Sequence, residues 1–167
     1  QPLPVCVSLP DIVILGPQKT GTTAFEFFLE THPDFKQNKQ TVHWEEVQFL
    51  NNDKEYMKGY KYYQSVFNFE PRLASYSNGE AVKIPLGQRK ALIYEKSATY
   101  FTGGEETAER LNSLLPRAMV VVVLLEPGQR AYSWYQHMRA HDDVTALKYS
   151  FDEVIMYKGE EDKQLLA

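Results

Sequence analysis

Asp11 to Ala24, Asp-Ile-Val-Ile-Leu-Gly-Pro-Gln-Lys-Thr-Gly-Thr-Thr-Ala, constrains the fold more than any other stretch of this chain. The aliphatic run Ile12 to Leu15 reads as a buried strand that passes through a tight turn straight into a helix. The turn carries Lys19, Gly21 and the hydroxyls of Thr20, Thr22 and Thr23, with Gln18 beside them. Backbone N–H groups at such a helix start converge on an anion, and the helix dipole adds to the attraction. Gly21 lacks the Cβ that would hold a phosphate away, Lys19 brings a mobile positive charge, and the threonines donate further hydrogen bonds. The loop therefore predicts a site for a phosphorylated group. A glycine serving only the turn is the plainer alternative, set against the coincidence of strand, glycine, lysine and hydroxyls.

The spacing excludes the commonest phosphate loop. A Walker A loop, G-x-x-x-x-G-K-[ST], places its lysine directly after the second glycine. Here Lys19 falls between Gly16 and Gly21, and Thr22 follows Gly21. No acidic residue ends the Val120 to Leu125 run as a clear magnesium ligand.

Strand and helix signals alternate along the chain. Thr22 to Thr31 reads as a helix stopped by Pro33, Trp44 to Phe49 as a helical piece, and Lys54 to Phe67 as a tyrosine-rich helix. Arg72 to Lys90 has the Gly, Pro, Ser and Asn content of a surface loop or insertion. Ala91 to Glu95 reads as a short strand, Glu105 to Leu115 as a helix ending at Pro116, and Met119 to Leu125 as a buried parallel strand. Gln129 to Arg139 and Phe151 to Tyr157 complete the series as helices. This order predicts an α/β fold with a P-loop-like parallel sheet flanked by helices and a binding crevice at the carboxyl ends of the strands.

Composition adds bounds. At 167 residues, 43% apolar and 24% charged, the chain can bury a core and falls within one domain or part of one. A net charge of −4 argues against general nucleic-acid binding but leaves room for a local basic cleft. The single cysteine, Cys6, forms neither an intrachain disulfide nor a cysteine-based metal site. No apolar run is long enough to cross a membrane, and the N-terminus lacks a signal-peptide pattern, so any targeting segment is expected outside this chain.

Four runs in order now carry a resemblance: Gly16-Pro17-Gln18-Lys19-Thr20-Gly21-Thr22-Thr23, Glu45-Glu46-Val47-Gln48-Phe49, Glu95-Lys96-Ser97-Ala98-Thr99-Tyr100-Phe101, and Arg130-Ala131-Tyr132-Ser133-Trp134-Tyr135-Gln136-His137. Arg139 to Asp143 and Ala146 to Tyr149 extend it. Together they resemble the N-sulfotransferase domain of the heparan sulfate N-deacetylase/N-sulfotransferases. These enzymes use 3′-phosphoadenosine-5′-phosphosulfate (PAPS). The likeness runs from about Leu9 to Ile155 and implies the N-terminal part of a single sulfotransferase domain. That family's later half, with its disulfide and a basic loop over the cofactor's 3′-phosphate, has no counterpart here. Other sulfotransferases often carry an arginine eight residues before the 3′-phosphate serine, where this chain has Leu125.

The resemblance implies roles. Gln18 to Thr23 would hold the 5′-phosphosulfate, Lys19 meeting the bridging oxygen, and Ser133 the 3′-phosphate. Glu46 matches the base that deprotonates the glucosamine amine, against the plain alternative of a solvent-facing helical glutamate. Lys96, at a strand end, would act at the sulfuryl group or acceptor, unless it pairs with Glu95 or another acid. His137 shares a helical face with Ser133 and would assist proton transfer, or be structural. Trp134 and His141 read as cleft-wall residues touching sugar, or as core; Arg130 reads as structural. Lys54, Lys58 and Lys61 share a helical face, by default a solvated one.

The implied function is transfer of a sulfuryl group to free amines of heparan sulfate or its heparosan precursor, with no metal and no nucleic acid. The resemblance also implies a Golgi-lumenal setting, with a membrane anchor upstream of this chain. A nucleotide-dependent P-loop kinase and a non-catalytic binding fragment are the rival readings.

Overall fold

A computed structural model describes residues 9–32, 34–37, 46–67 and 92–156. The predicted Arg72 to Lys90 loop, Trp44, Glu45 and Tyr157 lie outside the described residues. These residues divide into two compact units, one of 1–17 with 21–123 and the other of 18–20 with 124–167.

The first unit is built on a parallel sheet. Its strands are β1 (Ile12–Gly16), β2 (Phe35–Gln37), β3 (Leu92–Lys96) and β4 (Met119–Val122), in the order β2-β3-β1-β4. Each adjacent pair is parallel, with Val13 opposite both Glu95 and Val120. The expected α/β architecture is observed. Helix α1 (Thr22–Glu30) follows the loop after β1, and α2 (Asp53–Tyr56), α3 (Tyr60–Val66) and α4 (Gly104–Leu114) complete the unit, with a 3₁₀ turn at Ala98–Thr102.

Strand alternation sorts the central strands onto two apolar faces. Val13 and Ile93 pack with Val47, Phe49, Leu50, Tyr63, Val66, Phe67 and Tyr100. Phe49 stacks on Tyr63 with ring centroids 4.5 Å apart. Ile12, Ile14 and Tyr94 point the other way, onto Phe25 and Leu29 of α1. Each fully buried aromatic or aliphatic side chain contributes roughly 1.5–3 kcal/mol through burial.

Three expectations are corrected. Glu46 to Phe49 is not helical; after Glu46 the chain runs as an irregular segment, because hydroxyls of other elements, rather than a helix, take its N–H groups. The Lys54 to Phe67 helix is two helices, broken where Gly59 adopts φ +80°. Lys54, Lys58 and Lys61 therefore do not share one helix, and Lys58 is paired with Glu55 at 2.7 Å. Third, the run from Met119 is a parallel strand but not a buried one. Among the described residues it has a single neighbour in the sheet, and Met119, Val120 and Val122 are 40–63% exposed.

The second unit holds α5 (Pro127–Ala140), α6 (Val144–Lys148) and α7 (Phe151–Ile155). The Glu126 carboxylate caps α5, accepting from the Gly128 and Gln129 N–H groups at 2.9 and 2.7 Å. Tyr135 donates to the Tyr149 carbonyl at 2.7 Å, tying α5 to the end of α6.

Two loop glycines serve different needs. Gly16 has φ +106°, and a Cβ there would sit 2.2 Å from the Ala98 carbonyl oxygen. Gly21 has φ +94° with nothing within 4 Å of a Cβ. Gly16→Ala should therefore lower stability by roughly 2 kcal/mol or more in urea unfolding, and Gly21→Ala by about 1 kcal/mol.

Candidate active site

In the first unit the sheet delivers an ammonium and carboxylates to the end of β3. Lys96 is 3% exposed, and its Nζ lies 2.8 Å from Glu26 Oε2 and 3.9 Å from Glu46 Oε1. Glu46 Oε2 accepts the Ala98 N–H at 3.2 Å. One carboxylate oxygen is thus fixed by backbone while the other faces the lysine. Glu46 and Lys96, to which the resemblance gave separate roles, are brought together. Lys96 does form an ion pair, but its tightest partner is Glu26 rather than Glu95, because successive strand residues point to opposite faces.

Glu95 faces the other apolar cluster and is fully buried. It accepts from the Tyr63 hydroxyl, from Tyr100 Oη at 2.5 Å and from Ser97 Oγ at 3.4 Å. Burial pushes its carboxyl up from 4.5 to about 7, against the opposing pull of those hydroxyls.

Sequence reasoning missed Glu26 and the role of Glu95. Glu26 had a signal: Thr22, Phe25, Glu26 and Leu29 follow the spacing of a buried helical face, so an acid among them needs a buried partner.

The loop between β1 and α1 fits an anionic group. Gly21 is the N-cap of α1 and has no side chain to bond the first N–H groups, which a phosphate satisfies well. Gly21 and Thr23 are exposed, whereas Thr20 and Thr22 are 5% and 6% exposed. Within the protein it is at Gly16 rather than Gly21 that a Cβ would clash, and Gly21 holds a left-handed φ of +94°.

The second unit contains the rest of the expected residues. Gln18 to Thr20 lie with α5, where Arg130 Nε donates to the Gln18 carbonyl at 3.0 Å. Lys19 holds φ +65°, in the left-handed region. Ser133 and His137 are both half-buried on α5. The His137 ring lies 5.7 Å from Trp134 and 4.3 Å from His141, centroid to centroid. Burial, then the Lys19 charge, then His141 push the His137 pKa below its usual 6.5. At neutral pH its imidazole is uncharged, with one nitrogen able to accept. Trp134 on α5 and His141 just after it are exposed.

The chain matches the sulfotransferase domain model over residues 9–161. It belongs to the sulfotransferase domain family. It is 42% identical over 163 residues to human bifunctional heparan sulfate N-deacetylase/N-sulfotransferase 1, covering 97% of this chain and 17% of that protein. It is 43% identical over 151 residues to the fruit-fly (Drosophila melanogaster) bifunctional heparan sulfate N-deacetylase/N-sulfotransferase, covering 90% of this chain and 14% of that protein. The chain thus spans about a sixth of the length of these relatives. A sulfotransferase crystal structure from Alicyclobacillus acidocaldarius shares the fold, with a TM-score of 0.61, 20% identity, 96% of this chain covered and 59% of that one. Sulfotransferase membership decides against the kinase reading. Among the described residues no three metal-ligating side chains cluster, and no helix is long and apolar enough to cross a membrane.

The Lys19 contribution to His137 is directly measurable. In an NMR titration His137 should titrate below 6.5, and Lys19→Ala should move its midpoint upward while burial keeps it below the free-histidine value.

Proposed function

We propose that the chain is the cofactor- and base-bearing part of a PAPS-dependent N-sulfotransferase acting on free glucosamine amines of heparan sulfate. The observation that carries this reading is the placing of Glu46, the residue matching the family's base, beside the buried Lys96. Its likeness to proteins named heparan sulfate N-sulfotransferases supports the acceptor class.

Bound PAPS would supply an activated sulfuryl group and leave as adenosine 3′,5′-bisphosphate. The chain's own residues then have distinct work. The N–H groups of Gly21 to Thr23 would hold the 5′-phosphate by hydrogen bonds, and Lys19 would supply charge to it. Ser133, half-buried on α5, would hold the 3′-phosphate through its hydroxyl. An amine attacks only after losing its extra proton, and Glu46 takes that proton on Oε1, since Oε2 is engaged by the Ala98 N–H. Lys96, held between Glu26 and Glu46, steadies the base and adds positive charge where negative charge develops. Neutral His137 offers a hydrogen-bond acceptor beside Lys19, and exposed Trp134 and His141 offer faces for sugar rings. On this reading the protein works on heparan sulfate or heparosan in the Golgi lumen, held there by a membrane anchor outside this chain.

Calorimetric titration tests the cofactor assignment. Adenosine 3′,5′-bisphosphate should bind in preference to ATP with magnesium, and Lys19→Ala should weaken binding about tenfold or more, the loss of one charged hydrogen bond. Glu46→Gln should keep that affinity while lowering kcat by about 10²–10⁴, the scale of a missing general base. Preference for ATP would overturn the assignment. Binding without any transfer by the whole protein would favour a non-catalytic carbohydrate- or partner-binding role.

A further inference from the structure

The buried carboxylate of Glu95 has no part in the chemistry above, yet it organises the segment that carries Glu46. Three consecutive N–H groups of that segment are held by two hydroxyls. Gln48 donates to Ser97 Oγ at 2.9 Å, and Phe49 and Leu50 donate to Tyr100 Oη at 2.9 and 3.1 Å. Both hydroxyls in turn donate to Glu95 Oε1, Tyr100 at 2.5 Å and Ser97 at 3.4 Å.

A hydroxyl has one proton to give and two lone pairs to receive with. Pointing the proton at Glu95 turns the lone pairs toward the incoming N–H groups. Tyr100 Oη receives two such groups, so its remaining bond must be donated, and only an acceptor fits opposite it. Gln48 is also held at φ +48°, a conformation a glutamine does not adopt without restraint. An apolar residue would fill the place of Glu95 at lower desolvation cost, so stability alone does not account for a buried acid there.

We infer that Glu95 is a positioning residue for Glu46: through Ser97 and Tyr100 it fixes the backbone of 48–50 and thereby the place of the Glu46 carboxylate beside Lys96. The same anchoring sets the distance between Glu46 Oε1 and Lys96 Nζ and the contact of Oε2 with the Ala98 N–H. Its effect on rate rests on the reading of Glu46 as the acceptor base; its effect on the backbone does not.

Tyr63 provides an internal control. It also donates to Glu95, on Oε2, and sits in the same core, but its hydroxyl touches no N–H group of 48–50. In the full-length protein, Tyr100→Phe and Tyr63→Phe each remove one hydrogen bond to the same carboxylate. Tyr100→Phe should lower kcat for an amine-bearing heparosan acceptor by up to about 100-fold, the scale of a displaced catalytic group, with the affinity for adenosine 3′,5′-bisphosphate unchanged. It should also speed hydrogen exchange of the 48–50 amides. Tyr63→Phe should change neither. Glu95→Gln, whose amide oxygen still accepts from Tyr100, should retain more activity and amide protection than Glu95→Leu. Equal loss of kcat in the two tyrosine variants, or equal exchange of 48–50 in both, overturns the inference. If the unmutated protein transfers no sulfuryl group, the proposed function fails instead, and the exchange contrast decides the positioning role alone.

Discussion

Strand β3 buries a carboxylate and an ammonium on consecutive residues, and much of the first unit exists to make that tolerable. Removing a charge from water costs several kcal/mol unless partners replace the hydration. Alternation along the strand sends Glu95 into one apolar cluster and Lys96 toward the other. Glu95 is met by three hydroxyls, and Lys96 by Glu26 from α1 and Glu46 from the segment before α2. Elements far apart in sequence are therefore held to β3 by polar bonds inside an apolar setting, where such bonds are directional and expensive to break. The result is a rigid arrangement of acid, lysine and backbone N–H at the carboxyl end of a parallel strand, the end at which open α/β sheets bind ligands.

The loop after β1 is constrained by the same strand end. Gly16 passes so close to the Ala98 carbonyl that no larger residue fits, and Ser97 N–H donates to the Ile14 carbonyl at 3.1 Å. The turn into α1 is thus positioned from below by the segment after β3. Gly21 then opens the helix without a side-chain cap, a geometry suited to an anion. In the second unit Arg130 holds the Gln18 carbonyl, and burial, followed by the Lys19 charge, lowers the His137 pKa.

What the sequence made legible was local. Hydrophobic runs and the glycine-lysine-threonine turn identify β1, the loop and α1, since strand period and helix-start chemistry are written in adjacent residues. The resemblance supplied Glu46, Lys96, Ser133 and His137, but not their partners. The Lys96–Glu26 pair joins residues seventy positions apart. Only the unexpected acid on the buried face of α1 hinted at it. The Glu95 network was invisible because serine and tyrosine look alike in sequence whether they bond water or a buried carboxylate. Gly59 broke a helix that the tyrosine-rich pattern had joined. The apolar run from Met119 reads as buried, yet the exposure of a strand at the edge of the described sheet depends on what stands beside it, which no window of its own residues records.

The proposed reaction has an amine as its acceptor, deprotonated by a glutamate fixed beside a buried lysine. Its most direct test is where the sulfuryl group lands. The full-length protein would be given PAPS labelled in the sulfuryl group and a polysaccharide carrying both free glucosamine amines and hydroxyls. The product would then be cleaved with nitrous acid at low pH, which cuts at N-sulfated glucosamine and releases its sulfate. N-sulfation releases the label as inorganic sulfate with chain scission at those residues, which is the expected result. Label retained as acid-stable O-sulfate, or no incorporation at all, would contradict it.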